Sequence, residues 1–223
     1  MNSPKPFATL LKKMSMIRGV RRIRLGSLEP VQITDAFKEL LDEPWLERHL
    51  HIALQHTSKE MLKLMNRRNK FEEDLKLFSS LAEKGFALGT DFIVGHPGET
   101  PERWEEAWQR LQQLPLTHVH AFTYSKRDGT PSATMKPEVS GGVAKERLAQ
   151  LTSLVDANNR AFREGHHTDL DVLVESRTDE GMYQGYDQYY NKILIKSDLD
   201  LEGNWIQIGS AAVETEHNYA VVG

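Results

Sequence analysis

The sequence predicts an α/β protein in two parts. Residues 1–165 read as a parallel sheet with crossover helices, and residues 166–223 as a small antiparallel β-barrel. Strand-type and helix-type segments alternate up to about residue 165, which is the pattern of a parallel sheet with right-handed crossovers. Beyond that point the chain becomes a series of short β-type runs separated by turns, which suits a small barrel. At 223 residues, with 39% hydrophobic and 27% charged residues, the chain holds one medium domain and one small one.

The elements follow in order. "FATLLKKMSMI" has helical spacing. "VRRIRLGSLEP" alternates apolar and polar residues and breaks at Pro30, so it reads as a strand over 21–27. "TDAFKELLDE" opens on Thr34 as N-cap of an apolar-periodic helix. "RHLHIALQ" alternates again and predicts a strand over 49–55. "SKEMLKLMNRR" reads as an amphipathic helix with Ser58 as a cap, and "KFEEDLKLFSSLAEKG" as a helix stopped by Gly85. "FALGTDFIVG" reads as a buried strand over 87–95. In "TPERWEEAWQRLQQL", Thr100 is the N-cap, Pro101 takes the first helical position and acids fill the first turn. "THVHAFTYS" gives a strand over 118–125, "KRDGTPSATMKPEVSGG" a Gly/Pro-rich loop, and "VAKERLAQLTSLVDANNRAFREG" a long helix. The later β-type runs are "DLDVLVES", "GMYQGYDQYYNKILIKS", "NWIQIG" and "NYAVV".

Composition limits the function classes. No apolar run approaches the roughly 18 residues of a membrane span, and the N-terminus lacks the layout of a signal peptide. A cytoplasmic protein that is not in a membrane is therefore expected. Cysteine is absent, which excludes disulfides, thiolate catalysis and any cysteine-ligated metal or cluster held by these residues. The net charge of −4 hides an asymmetry: Met1–Lys70 carries 14 Lys and Arg against 7 Asp and Glu, whereas Asp169–Gly223 carries 3 against 11. A basic N-terminal part suits a polyanion, and an acidic C-terminal part repels one.

In parallel α/β sheets, ligands sit at the C-terminal strand ends. Here those ends carry "GSLEP", "LQHTS", "DFIVGHPGE" and "TYSKRDGTP", so four loops converge on one face. "GHPGET" lacks the Lys-Ser/Thr pair of a P-loop and the spacing of a dinucleotide fingerprint. Read alone, it is a strand-to-helix turn. Arg67 and Arg68 lie close to the "LQHTS" loop, within reach of a carboxylate or phosphate.

Of the nine histidines, His49/His51 and His118/His120 form i, i+2 pairs, each with two imidazoles on one strand face. Imidazole suits zinc and iron. The pairs read as structural, because no third ligand stands at a supporting spacing. Phe122 and Tyr124 read as core residues. The tyrosines of "GYDQYYNK" suit base stacking and barrel packing equally.

Taken together, "RIRLGSLEP", "HLHIALQHTSKEMLKLMNRRNK", "TDFIVGHPGET", "HVHAFTYSKRDGTPSATM" and "VAKERLAQL" make the chain resemble the radical S-adenosylmethionine (SAM) methylthiotransferases. The final segment resembles the TRAM domain, a small β-barrel associated with tRNA. "YSKRDGTPSATM" is most similar to the branch acting on threonylcarbamoyladenosine.

The resemblance implies a partial (β/α) TIM-like radical SAM barrel over 1–165 and a TRAM-like β-barrel over 166–223. It implies SAM as cofactor, [4Fe–4S] clusters in a parent protein, and methylthio transfer to C2 of a modified adenosine at position 37 of tRNA. The implied partner is the anticodon stem-loop. By matching position it implies SAM contacts from Ser27, Glu29, Gln55, Ser58, Arg68, Asp91, Ile93 and Gly95, with Gly95 allowing close backbone approach. It assigns no catalytic residue and no metal ligand.

The chain departs from the family in having none of its cluster cysteines. It therefore reads as a C-terminal fragment, inactive alone, with the strand at 21–27 exposed as an edge prone to self-association. The alternative readings are a non-catalytic RNA-binding module and a metal-dependent TIM-barrel enzyme using the histidine pairs. His96 stands where the family has an apolar residue, and "LQHTS" replaces Gln-Ser-Gly-Ser, so His56 and Thr57 are bulkier than the residues they replace.

Overall fold

The computed structural model describes residues 5–223. Residues 1–4, which begin the N-terminal stretch read above as lacking a leader, lie outside it. A helix, α1 (Lys5–Ser15), precedes a parallel sheet of four strands in sequential order: β1 (Ile23–Leu28), β2 (Leu46–Ile52), β3 (Ala87–Val94) and β4 (His118–Thr123). Between them run α2 (Asp35–Lys38), α3 (Lys59–Leu64), α4 (Phe71–Glu83) and α5 (Pro101–Leu111).

The helix boundaries follow local chemistry. The Thr34 side chain accepts from Phe37 N, and that of Thr100 from Arg103 N. Gly85, at φ +76°, ends the turn after α4. Ser58 precedes α3 but makes no side-chain cap bond; its hydroxyl is used elsewhere, as described below. The predicted α2 shortens to a single turn, and β2 begins earlier than its alternation suggested.

The two faces of the parallel sheet differ sharply. Leu50, Ile52, Leu54, Leu88, Phe92 and Val94 pack with Phe37, Phe78, Phe86 and Leu111 in one apolar core. Successive strand residues point to opposite faces, so the other face carries His49, His51, Gly89, Asp91, Ile93, His118, His120 and Phe122. Parallel register sets these side by side: His49 opposite Ala87, His51 opposite Gly89, Gly89 opposite His118, Asp91 opposite His120 and Ile93 opposite Phe122.

A 25-residue helix, α6 (Gly141–Gly165), capped by Ser140, packs on β3 and β4 and leads into a second sheet. That sheet has β5 (Thr168–Arg177), β6 (Tyr183–Tyr186), β7 (Lys192–Lys196), β8 (Trp205–Ser210), β9 (Ala212–Val213) and β10 (Asn218–Val221), ordered β8-β5-β6-β7-β10-β9. It is mixed rather than purely antiparallel, because β10 runs parallel to β7. Its core is Leu170, Val172, Val174, Tyr183, Ile193, Ile195, Ile208 and Ala220.

The charge asymmetry is partly consumed where the two sheets meet. Arg22 Nε lies 3.1 Å from Glu47 and its Nη2 2.7 Å from Asp171, while Arg21 lies 2.6 Å from Asp171. Both guanidinium groups stack over Trp205, at 4.6 and 4.5 Å. Burial, only partly offset by Arg22, pushes the Glu47 carboxyl up to about 7. Tyr190 packs 5.2 Å from the His49 ring and lies under the Arg24 guanidinium at 4.0 Å; Tyr186 stacks on Tyr190, and Tyr189 packs against Phe162 and His166. The tyrosine cluster therefore serves docking between the units.

Candidate functional site

A cavity of about 940 Å³ opens at the C-terminal ends of β2, β3 and β4. Gln55, Asp91, Ile93, Phe122 and Tyr124 line its strand side, Asn66 and Arg67 one flank, and Arg127, Thr130 and Met135 the other. Two of the bordering residues, Gln55 (φ +67°) and Asn66 (φ +55°), hold left-handed backbone. Such conformations cost energy and gather at binding sites. Gln55 is fixed by its bridge to Phe92: its N–H donates to Asp91 O at 2.9 Å, and its carbonyl accepts from Ile93 N at 2.9 Å.

Of the residues expected to contact SAM, Gln55, Asp91 and Ile93 line this cavity. Glu29 is exposed and reaches the site through Arg67, whose Nη2 donates to both Glu29 oxygens at 3.0 and 3.1 Å and to Ala53 O at 2.9 Å. Arg67, rather than the exposed Arg68, brings a cation to the cavity wall. Ser27 is exposed at the end of β1, with φ +50°. Ser58 is fully buried and its hydroxyl donates to Glu106 at 2.7 Å, outside the cavity lining.

Gly95 lines a smaller neighbouring cavity of about 330 Å³. With φ +74°, a Cβ there would lie 2.7 Å from the Ala144 Cβ, so its bareness lets α6 approach. The loop "GHPGET" is closed from within. Glu99, 1% exposed, accepts from Gly95 N at 2.7 Å and Arg147 Nη1 at 2.6 Å, while His56 Nε2 lies 3.1 Å from its other oxygen. His56 Nδ1 accepts from Ser58 N at 3.0 Å, and its ring stacks on Phe92 at 4.9 Å. Thr57 donates to Ala107 O at 3.0 Å. The bulk of His56 and Thr57 is thus buried away from the cavity. His96 packs edge-on to Tyr124 with ring centroids 5.0 Å apart.

Phe122, expected in the core, is 53% exposed and forms part of the cavity wall. Its position on the polar face, in register with Ile93, could be found only once strand pairing was known. Beneath it the histidines converge. His51 Nε2 lies 3.0 Å from Asp91 Oδ1, His120 Nδ1 lies 3.5 Å from the same oxygen, and the His51 and His120 rings are 4.7 Å apart. His49 sits 4.8 Å from His118, edge to face.

Burial lowers the basicity of His51 despite Asp91, pushes His118 down to about 4, and holds His49 well below the usual imidazole range with help from its histidine neighbours. Burial thus favours the neutral form of all three rings. Gly89 makes room for them. A Cβ there would lie 2.8 Å from His51 Nδ1, 3.1 Å from His49 Nε2 and 3.3 Å from His118 Cβ.

A cleft at parallel-strand ends, with apolar walls, a carboxylate and an arginine, is the layout of a nucleoside-type cofactor site. The Radical SAM superfamily family model matches residues 3–111, which include β1–β3 and most of the groups just described. Residues 3–111 belong to the radical SAM superfamily. A Helicobacter pylori (strain J99) protein named as a methylthiotransferase is 48% identical over 217 residues, covering 96% of this chain and 52% of the relative. The threonylcarbamoyladenosine tRNA methylthiotransferase MtaB of Bacillus subtilis (strain 168) is 34% identical, covering 91% of this chain and 47% of the relative. The chain thus spans about half the length of the curated radical SAM relatives it matches. Among solved structures, the radical SAM coproporphyrinogen III oxidase HemN from Escherichia coli superposes with a TM-score of 0.52 at 17% identity, covering 82% of this chain and 50% of that one. This likeness supports the fold alone.

Proposed function

We propose that this chain forms the SAM-facing and substrate-facing walls of a methylthiotransferase that modifies C2 of an adenosine derivative at position 37 of tRNA, with threonylcarbamoyladenosine as the favoured substrate. The convergence of Gln55, Asp91 and Ile93 on one cavity at the strand ends carries this reading. The relatives described above support the reaction class.

The residues present fit SAM. Ile93 and Phe122 offer apolar surfaces for a purine face, Gln55 and Asn66 offer amides to ribose hydroxyls, and Arg67 offers a guanidinium to a carboxylate. SAM supplies radical chemistry in this superfamily when an iron–sulfur cluster is bound beside it. The role of these side chains is to bind the nucleoside, orient it and exclude water. The residues do not fit the cluster itself, because none of the 223 is cysteine. No step through a cluster is therefore assigned to this chain, and its expected behaviour alone is to bind SAM without cleaving it.

In the same reading, residues 1–165 act as the partial barrel and residues 166–223 as a TRAM-like unit that assists tRNA binding by the parent protein in the cytoplasm. Among the described residues no helix is long and apolar enough to cross a membrane. The outer edge of β1 is the expected route for self-association.

Equilibrium dialysis of the purified chain with SAM tests the site. Saturable binding, weakened at least ~10-fold by Ile93→Arg, is expected on the grounds of a buried charge facing the purine. Equal binding by wild type and variant overturns the assignment. Anaerobic treatment with iron and sulfide is expected to give neither visible cluster absorption nor 5′-deoxyadenosine, and formation of both would refute the inactivity of the chain alone.

A further inference from the structure

We propose that His51, Asp91 and His120 form a binding site for a first-row divalent cation of the zinc or iron(II) class, set in the polar face of the parallel sheet at the base of the cavity. Three donors come from three neighbouring strands. Register puts Asp91 directly opposite His120, with His51 beside them on β2. One donor atom from each lies within 4.8 Å of the other two, and both imidazoles approach the same carboxylate oxygen. Two imidazole nitrogens and one carboxylate oxygen suit zinc or iron(II), and three protein ligands leave positions for water or substrate. The open side has an outlet, because Asp91 also lines the cavity.

A second observation points the same way. His49 is 2% exposed and neither of its ring nitrogens has a partner. A buried polar group without a partner is costly and calls for an explanation. Its Nε2 and the Nδ1 of His51 both border the space over Gly89, which a methyl group would fill. The polar face therefore gathers imidazoles around one carboxylate and keeps the space between them free of side-chain bulk. A hydrogen-bonded structural pair accounts for His51 and Asp91, but not for His120 turning to the same oxygen or for His49 remaining unpartnered.

The test needs neither SAM nor tRNA, so its outcome is separable from that of the proposed function. The full chain is stripped with a chelator, then titrated with Zn²⁺ against a chromophoric competitor and with Co²⁺ by visible ligand-field absorption. One equivalent of tightly held Zn²⁺ is expected, with a Co²⁺ spectrum of a low-coordinate nitrogen and oxygen site. Asp91→Asn and His120→Ala are each expected to weaken binding by at least ~100-fold, since even the outer-shell partners of a metal ligand are worth 10–100-fold. The His120 side chain is 67% exposed, so its removal leaves the fold intact, and circular dichroism checks this. His166→Ala/His167→Ala, on the far helix end, is the control and keeps wild-type affinity. Absence of stoichiometric binding, or binding unchanged in His120→Ala, overturns the proposal.

Discussion

His51 Nε2 and Asp91 Oδ1 stand 3.0 Å apart although forty residues separate them, because β2 and β3 lie side by side in parallel register. That contact joins the histidine-lined face of the sheet to the cavity above it. It depends on Gly89, the small residue of β3 opposite His51.

Gly89→Ala destabilises the protein through packing alone. Gly89 needs no left-handed backbone, but a methyl group would meet His51 Nδ1 at 2.8 Å and His49 Nε2 at 3.1 Å. Both rings are buried among other side chains, so relief requires shifting several of them together. The expected loss is about 1–3 kcal/mol, as for overpacked cores, read as a lower urea midpoint with unchanged slope. An unchanged midpoint would show that the imidazoles rearrange freely.

Glu47→Gln changes the pH dependence of stability. The folded pKa is raised to about 7 from 4.5, so the carboxyl contributes stability that is fully present below pH 4.5 and lost as pH rises through 7. The glutamine variant does not titrate. Its stability relative to wild type is therefore expected to rise between pH 4.5 and pH 8, by on the order of 3 kcal/mol. Arg22 keeps Asp171 as a partner in the variant. Urea unfolding at several pH values checks this, and parallel curves for the two proteins would contradict it.

Arg163→Met loosens the second sheet from α6. Arg163 is 1% exposed, and its guanidinium donates to the carbonyls of Glu214, Thr215 and His217 at 2.9, 2.8 and 2.7 Å. Methionine fills much of the volume but takes the guanidinium from all three carbonyls, leaving His217 O with the Glu214 N–H alone. A loss of about 3 kcal/mol or more is expected, with amide exchange accelerated first at residues 214–218. Wild-type exchange there would mean that the β9–β10 turn holds itself.

By itself the sequence determined the alternation of strands and helices, and the structure has those elements. Period-2 runs such as "HLHI" and capped starts such as Thr100-Pro101 are local chemistry, legible without partners. It also determined the absence of thiolates, which bears on every cofactor argument.

Tertiary structure decided which of these residues meet. Asp91 could not be recognised as a third neighbour of the histidine pairs from spacing within one strand, because it lies on the next strand and is brought there by parallel register. Ser58 and Gly95 sit in a plausible pattern for a nucleoside site, but the approach of α5 and α6 commits their polar and bare surfaces to packing. Phe122 reads as core by alternation yet faces the cavity, because only one side of this sheet is covered by helices. Alternation shows that two faces differ; which of them meets a helix, a cavity or another strand's carboxylate is set by contacts distant in sequence.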